Sequence, residues 1–396
     1  RLARDRAQTY SADVVNREIV DRLPKGKTRD LAGAHVAPLQ TSDIIDEPQA
    51  RVVVLHPNHT HKRSNGSSEA LTFAKKVLEE RGNSPRLYRN MLVFIAPDQT
   101  DMEALQEAIR EHLAWQSIQD DEEQLNLDAQ QRKQVKAQLA RTAKTVEVRL
   151  QEAYNWLIVP YQPEAIGQIE WQPSRMSGDE SFYVRAARKL HQLEALVPVW
   201  APENLRIEID RYNLWGDQRH ISLKQLWEYF ARYCYLPRLL DDSVLLQAVR
   251  DGINRADAPF GYATSVAPDG RYANLAFGTS SSVYIDDASV LVHPDAALRQ
   301  LDEDRARAEV ARSASSAKVE RDPETADTAE RTPLPAVEPE PPSLTRYFGS
   351  VAVDSQRVNR EMGLIVEEVI QRLTSLTGCD VEIHLEISAR RPEGFD

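Results

Sequence analysis

The chain has 396 residues, of which 41% are hydrophobic, so it is long enough for two or three domains with ordinary cores. Its net charge of −12 excludes a generally basic binder of nucleic acids or acidic membranes, and any DNA contact is expected to be local. Its two cysteines, Cys234 and Cys379, exclude a disulfide framework and a cysteine zinc site, which predicts a cytoplasmic protein. No apolar stretch approaches the roughly 20 residues that span a bilayer, so no membrane contact is predicted. Arg1 opens inside a helical pattern with no Met before it, and we expect a fragment or a trimmed product.

Residues 1–100 predict part of a parallel α/β sheet. A helical pattern over residues 1–23 precedes the strand "RVVVLH" (51–56), a helix over 69–81 and the strand "MLVFIAP" (91–97). Both strands are continuous apolar runs, which is typical of parallel strands that are buried on both faces.

Residues 101–160 predict an antiparallel helical hairpin. Two long patterns place apolar residues at helical intervals, and the acidic turn "QDDEEQ" (119–124) separates them. This hairpin is expected to be a lid or a coiled-coil-like projection.

Residues 161–301 predict a winged-helix-like region. Two amphipathic helices, "ISLKQLWEYFARYCYLPRLL" and "DDSVLLQAVRDGI", precede a hairpin whose turn contains Asp269 and Gly270. That dipeptide is suited to a type I′ turn.

Residues 302–342 lack large apolar side chains and predict a disordered linker, which ends in the proline-rich "PLPAVEPEPP". Residues 343–396 then predict a small βαβ domain, because one amphipathic helix lies between the strands "GSVAVD" and "VEIHLEISA". The fold class is therefore α/β and α+β, in several domains.

Two motifs suggest ligands but do not meet the requirements. "LPKGKTRD" (23–30) contains Gly-Lys-Thr, yet a P-loop needs a glycine five residues before Gly26, where Asp21 stands. His56, His59 and His61 resemble a metal cluster, but no carboxylate or cysteine lies at ligand spacing. A polar loop at a strand end is the favoured interpretation, and no metal is assigned.

Six blocks of the sequence carry a family resemblance and cover nearly the whole chain except the linker. They are "DLAGAHVAPLQTSDIIDEPQARVVVLHP", "RGNSPRLYRNMLVFIAPD", "AYNWLIVPYQP", "LWEYFARYCYLPRLLDDSVLLQAVRDGI", "LVHPDAALRQL" and "FGSVAVDSQRVNREMGLIVEEVIQRL…VEIHLEISA". In this order they resemble the C-terminal half of predicted AAA+-like ATPases, the family called domain of unknown function four-nine-nine. The resemblance implies an oligomeric ATPase of bacterial and archaeal antiphage defence loci, encoded near a DNA methyltransferase and a helicase. Its P-loop and acidic Mg²⁺ motif would precede residue 1, so ATP and Mg²⁺ are expected only in the completed protein.

The resemblance also implies roles for three residues. The strand at 51–56 would be the sensor strand, with Asn58 orienting the attacking water, and Arg86 or Arg89 would be an arginine finger for a neighbouring subunit. A planar guanidinium suits that role, because it neutralises charge on phosphate oxygens during transfer. The alternative is that Arg89 caps a helix or pairs with Asp98 or Asp101 at the sheet edge.

The winged-helix-like region also leaves two interpretations open. Residues 219–271 contain seven Lys/Arg and six Asp/Glu, a balance of +1, whereas a groove-reading module is usually far more basic. Arg250, Arg255 and Arg271 are the predicted phosphate contacts to double-stranded DNA, and a protein-docking surface is the alternative.

The sequence thus predicts the C-terminal part of a defence ATPase that couples ATP turnover to a DNA-modification or DNA-remodelling complex. The competing hypothesis is a non-enzymatic adaptor that binds DNA or protein through the winged-helix-like module.

Overall fold

The computed structural model describes residues 2–25, 30–62 and 67–317. Contacts divide the chain into one unit of residues 1–321 and another of residues 322–396, and the first contains all the described residues. The Gly-Lys-Thr motif at 26–28, the linker beyond residue 317 and the predicted βαβ domain at 343–396 lie outside the described residues.

The described residues form ten α-helices and twelve strands. The helices are α1 (Leu2–Ala7), α2 (Ala12–Arg22), α3 (Glu69–Glu79), α4 (Gln99–Asp120), α5 (Ala129–Ala153), α6 (Phe182–Gln192), α7 (Pro202–Arg211), α8 (Leu223–Arg232), α9 (Asp242–Ile253) and α10 (Pro294–Ala317). The strands are β1 (Gly33–Val36), β2 (Arg51–Val54), β3 (Glu80–Arg81), β4 (Ser84–Pro85), β5 (Leu92–Ala96), β6 (Trp156–Tyr161), β7 (Glu170–Arg175), β8 (His220–Ser222), β9 (Gly261–Ala263), β10 (Ser265–Val266), β11 (Tyr272–Ala273) and β12 (Val290–Val292).

A mixed five-stranded sheet in the order β1-β2-β5-β6-β7 organises the first half of the chain. Strands β1, β2 and β5 are parallel, as the apolar runs predict for β2 and β5, while β6 and β7 are antiparallel to their neighbours. The α/β class is therefore confirmed. The other three strands of this sheet, β1, β6 and β7, were not predicted from the sequence.

Helices cover both faces of this sheet. Val52 and Val54 of β2 point into one core, which α2, α4, α5 and α6 complete, whereas Val53 and Leu55 point into a second core with α3. Alternate side chains of a strand lie on opposite faces, so a continuous apolar run fills both cores at once.

The helical hairpin forms close to its predicted bounds. Asp98 caps α4 by accepting hydrogen bonds from two backbone N–H groups of its first turn, and Asp128 caps α5 in a capping box. His112 and Thr142 link the two helices by a buried side-chain hydrogen bond of 3.0 Å.

A third core belongs to residues 200–292. Helices α7, α8 and α9 pack beside a three-stranded antiparallel sheet in the order β8-β12-β9. Trp200 meets Phe230 edge-on in this core, with their ring centroids 5.1 Å apart. The amphipathic pattern predicted both α8 and α9.

The predicted hairpin forms from β10 and β11, but its turn differs from the predicted type I′ turn. Gly270 has a φ of +82°, while Asp269 does not lie in the positive-φ region that a type I′ turn requires. The N–H of Gly270 donates to the carbonyl of Ala267, and the N–H of Ala267 donates to the carbonyl of Arg271. This is the three-residue loop with a glycine bulge, in which Pro268 occupies a position favoured by proline.

Two buried polar residues join the five-stranded sheet to this third core. The Nδ2 of Asn90 donates to the carbonyls of Phe230 and Leu236 at 2.9 and 3.1 Å. The guanidinium of Arg238 donates to the carbonyls of Asn90, Ala195 and Pro160. Burial lowers the pKa of Arg238 to about 10.

Helix α10 replaces the first part of the predicted disordered linker. It extends over Pro294–Ala317, because its Ala, Arg and Glu residues are strong helix formers even without a large apolar face. No helix among the described residues has the length and apolar character needed to cross a membrane.

Candidate functional site

Asn58 lies where the parallel strands end. It is exposed, and its Oδ1 accepts a hydrogen bond of 2.7 Å from the Nδ2 of Asn16. The Oδ1 of Asn16 in turn accepts from the Nε2 of Gln106 at 3.0 Å. The predicted sensor residue thus ends a chain of amides that ties α2 and α4 to the β2 loop, and its Nδ2 has no hydrogen-bond partner among the described residues.

The histidines of the same loop make contacts within the fold. His59 stacks on Phe73 with 4.3 Å between ring centroids, and the Nδ1 of His61 lies 2.9 Å from the Oγ of Ser68. Burial lowers the pKa of His56, His59 and His61, which favours the neutral rings. Within the part of the chain that the structure describes, no group of three or more His, Cys, Asp or Glu residues has a metal-binding arrangement.

Asp98 is the most connected polar residue at this edge, and the sequence did not single out its partners. Its Oδ2 accepts hydrogen bonds from the Nε1 of Trp156 at 3.0 Å and from a guanidinium nitrogen of Arg175 at 2.6 Å. Burial alone would raise the pKa of Asp98, but these bonds and two backbone N–H donors hold it below its usual value. The guanidinium of Arg175 also lies over the Trp156 ring, 5.1 Å from its centroid.

Arg86 precedes β5, at the opposite ends of the parallel strands from Asn58, and its side chain is fully buried. Its guanidinium donates to the carbonyls of Val77, Ile45, Thr41 and Ile44 at 2.5 to 3.2 Å. The carboxylate of Asp46 lies 3.8 Å from this guanidinium, and only 2% of Arg86 is exposed to solvent. Burial lowers its pKa. The predicted finger role does not fit Arg86, because its guanidinium is saturated inside its own subunit and does not reach a neighbour.

Arg89 is half-buried in the short helical turn before β5. Its Nε donates to the carbonyl of Arg86 at 3.3 Å, and no carboxylate lies within 4 Å of it among the described residues. The alternative partners Asp98 and Asp101 follow β5, whereas Arg89 precedes it, so they lie at the other end of the strand. Asp98 pairs with Arg175, and Asp101 accepts from the Nδ2 of Asn155.

The three predicted catalytic residues therefore do not converge. Strands β2 and β5 are parallel, with Arg51 opposite Leu92. Asn58 follows β2 and therefore lies at the carboxyl ends of these strands, whereas Arg89 precedes β5 and lies at their amino ends. Within one subunit these two side chains cannot act on one phosphate group. Only an arrangement in which Arg89 serves a neighbouring subunit would be compatible with both predicted roles.

Two of the three predicted DNA-contacting arginines are held by carboxylates. Arg255 bonds to Glu203 and to Asp257, whose hydrogen bonds raise the pKa of the guanidinium. Arg271 is bonded to Asp304 of α10, and Glu303 lies 3.7 Å from it. A phosphate would have to displace these partners before it could bind either guanidinium.

Arg250 borders a groove on α9. The groove encloses about 290 Å³ between α9 and the segment before α7, and it is lined by Pro198, Val199, Trp200, Ser243, Val244, Leu246, Gln247 and Arg250. Val199 is 81% exposed at its rim. Among the described residues Arg250 has no carboxylate partner, and its guanidinium makes one long hydrogen bond of 3.4 Å to the carbonyl of Val283.

The chain was compared with family models, curated proteins and solved structures. No family model, curated protein or solved structure matches it.

Proposed function

We propose that this chain is a non-enzymatic adaptor, and that its α9 groove binds an extended segment of a partner protein. The observation that carries this proposal is the groove itself, which combines an apolar floor with a single cation, Arg250, that has no carboxylate partner among the described residues.

The order of elements supports a winged-helix-like module in residues 200–292. Helix α7, strand β8, helices α8 and α9, strand β9, a hairpin and strand β12 follow one another, and β12 lies between β8 and β9. In such a module α9 stands at the recognition position, and the β10–β11 hairpin is the wing.

The charges on α9 favour a protein over a duplex. Asp241 and Asp242 lie at its N-terminus, where a DNA-reading helix would approach the phosphates and base edges, and Asp251 lies beside Arg250. The carboxylates would repel phosphates. The apolar floor around Val244 suits burial of an apolar side chain instead.

The chemistry of the groove defines its partner. An extended segment with one apolar side chain for the floor and one carboxylate for Arg250 would satisfy both parts, because an interface needs a buried anchor and a paired charge. The exposed Val199 would add apolar area at the rim.

A photocrosslinking side chain at Val199 in the native host tests this proposal. We expect one protein to crosslink there, and the purified partner to bind the chain with an affinity that falls about tenfold or more for Leu246→Asp or Arg250→Glu. The matched control is the same crosslinker at Val148, which is 50% exposed on α5, far along the chain from the groove. Equal crosslinking at both positions, or tight duplex binding that depends on Arg250, would contradict the proposal.

A second function is supported by Arg89. If the family resemblance holds, the chain is the C-terminal part of a cytoplasmic, oligomeric defence ATPase that uses ATP and Mg²⁺ and acts with a DNA methyltransferase or a helicase. A guanidinium without a carboxylate partner in the described part of the subunit is suited to a phosphate on a neighbour.

A version of the protein extended to include a P-loop would test this function. Arg89→Ala should lower ATP turnover by about two orders of magnitude or more while nucleotide affinity stays nearly constant, because a finger acts on charge in the transition state. Mixing this variant with a P-loop variant should restore part of the activity at mixed interfaces. Unchanged turnover, or no recovery on mixing, would exclude Arg89 as a finger.

A further inference from the structure

Helix α5 carries an excess of positive charge that the rest of the chain does not share. Residues 129–153 contain six Lys/Arg and two Glu, which gives +4, so the remaining residues carry −12 − 4 = −16. The six cations are Arg132, Lys133, Lys136, Arg141, Lys144 and Arg149. A local basic surface in an acidic protein is a feature that selects polyanionic partners.

Three of these cations share one exposed arc of about 80° around the helix axis. The inner face packs on the hairpin and the sheet through buried Val135, Thr142, Val146 and Leu150. At 100° per residue, Lys133 and Lys144 lie opposite this inner face, whereas Lys136 lies on its flank, about 80° from its centre. All three lysines are exposed, and so is Glu147, which falls in the same arc one turn beyond Lys144. The first and last of these lysines are eleven positions apart, which corresponds to about 16 Å along the helix axis at 1.5 Å per residue.

We name this surface the lysine face and define it as Lys133, Lys136, Ala137, Ala140 and Lys144. Both alanines are exposed between the lysines. Their small side chains let a rod-like ligand approach the helix backbone, while the long lysine stems reach around it.

The lysines are not neutralised within the fold. No carboxylate lies within 4 Å of the ammonium groups of Lys133, Lys136 or Lys144 among the described residues, whereas Arg141 pairs with Glu111 at 3.8 Å and Arg149 with Glu152 at 2.9 Å. Unlike Arg255 and Arg271, these lysines are therefore free to exchange counterions for phosphates.

We propose that the lysine face binds the phosphodiester backbone of a nucleic acid. Nucleic acid presents one negative charge per about 1.7 Å of duplex axis, which matches a row of flexible cations without requiring a fixed register. An anionic membrane would also need several large apolar side chains among the lysines, and alanines occupy those places. This contact is separate from the α9 groove and does not depend on the proposed protein partner.

The neighbouring helix limits the contact. Helix α4 exposes Glu103, Glu107 and Glu111 at intervals of four residues, so its own surface repels phosphates. The nucleic acid is thereby confined to the outer side of α5, and the contact carries no base-specific groups. Binding is expected to be salt-sensitive and independent of sequence.

The test uses the full chain with a fluorescein-labelled duplex of about 30 base pairs and a single strand of similar length, at about 50 to 200 mM KCl. Replacing the three lysines of the face by Gln should weaken binding at low salt by at least about tenfold. It should also reduce the slope of log K against log salt by about 3, since each lost phosphate contact removes roughly 0.9 for a duplex. Comparing the affinities for the duplex and the single strand shows which form of nucleic acid the lysine face prefers, since both carry the same phosphodiester groups.

The matched control replaces three exposed cations elsewhere, Arg17, Lys75 and Lys76, by Gln, with the same change in net charge. Its affinity and salt slope should stay close to those of the unmodified chain. Equal losses in both variants would reduce the effect to net charge and overturn the proposal. It is also overturned if the unmodified chain does not bind at about 50 mM salt, or if polyglutamate binds the same lysines as tightly as the nucleic acids do.

Discussion

Replacing Arg86 by Met tests whether this arginine is a structural residue. The change removes a guanidinium that donates four hydrogen bonds to backbone carbonyls in a fully buried site. It leaves those carbonyls without this donor and leaves Asp46 without its cation, while Met preserves most of the side-chain volume.

The expected magnitude follows from these contacts. A hydrogen bond from a charged donor contributes about 1.5 to 3 kcal/mol, and a carbonyl left unsatisfied costs about 1 to 3 kcal/mol. The charged side chain also loses hydration when it is buried, and Met avoids that cost. The balance for Arg86→Met is a loss of about 3 to 5 kcal/mol in the free energy of unfolding.

Urea denaturation followed by tryptophan fluorescence would measure this loss, since Trp156 lies in the same sheet. The melting temperature should fall by on the order of 10 °C. Arg89→Met is the control, because Arg89 is half-buried with one long hydrogen bond, and its cost should stay below about 1 kcal/mol. If Arg86→Met unfolds within about 1 kcal/mol of the unmodified chain, the structural role of Arg86 is wrong.

Three further outcomes are expected from the described contacts. Burial and two neighbouring guanidinium groups lower the pKa of His35 from 6.5 to about 4, so the unfolded chain binds a proton first as pH falls. The free energy of unfolding should therefore decrease between about pH 6.5 and 4, by at most about 3 kcal/mol, and His35→Gln should flatten this part of the urea-stability profile. Asp98→Asn should cost about 1 to 2 kcal/mol in the same assay, because its buried hydrogen bond from Trp156 loses its charged acceptor, and an unchanged midpoint would argue against that bond. Gly252→Ala should cost about 1 to 3 kcal/mol despite a better helix propensity, since the new Cβ would lie 2.6 Å from the ring of Phe260, and a higher melting temperature would contradict this packing.

Local patterns predicted the main helices and the two central strands. The apolar runs at 51–56 and 91–97 are short, continuous and separated by one helix, which is sufficient to predict adjacent parallel strands. The hairpin helices and the α8–α9 pair have apolar residues at helical spacing and capping residues at their starts. These signals lie within a few residues of one another, so they do not depend on the rest of the fold.

The tertiary structure decided which polar residues remain available to a ligand. Nothing near Arg86 in the sequence shows that carbonyls from residues 41–45 enclose it, and the pairing of Arg271 with α10 joins residues more than thirty positions apart. Arg238 likewise bonds to carbonyls at 90, 160 and 195. An arginine in the sequence is only a cation, and whether it binds a ligand depends on the carbonyls and carboxylates that folding brings within about 3 Å of it.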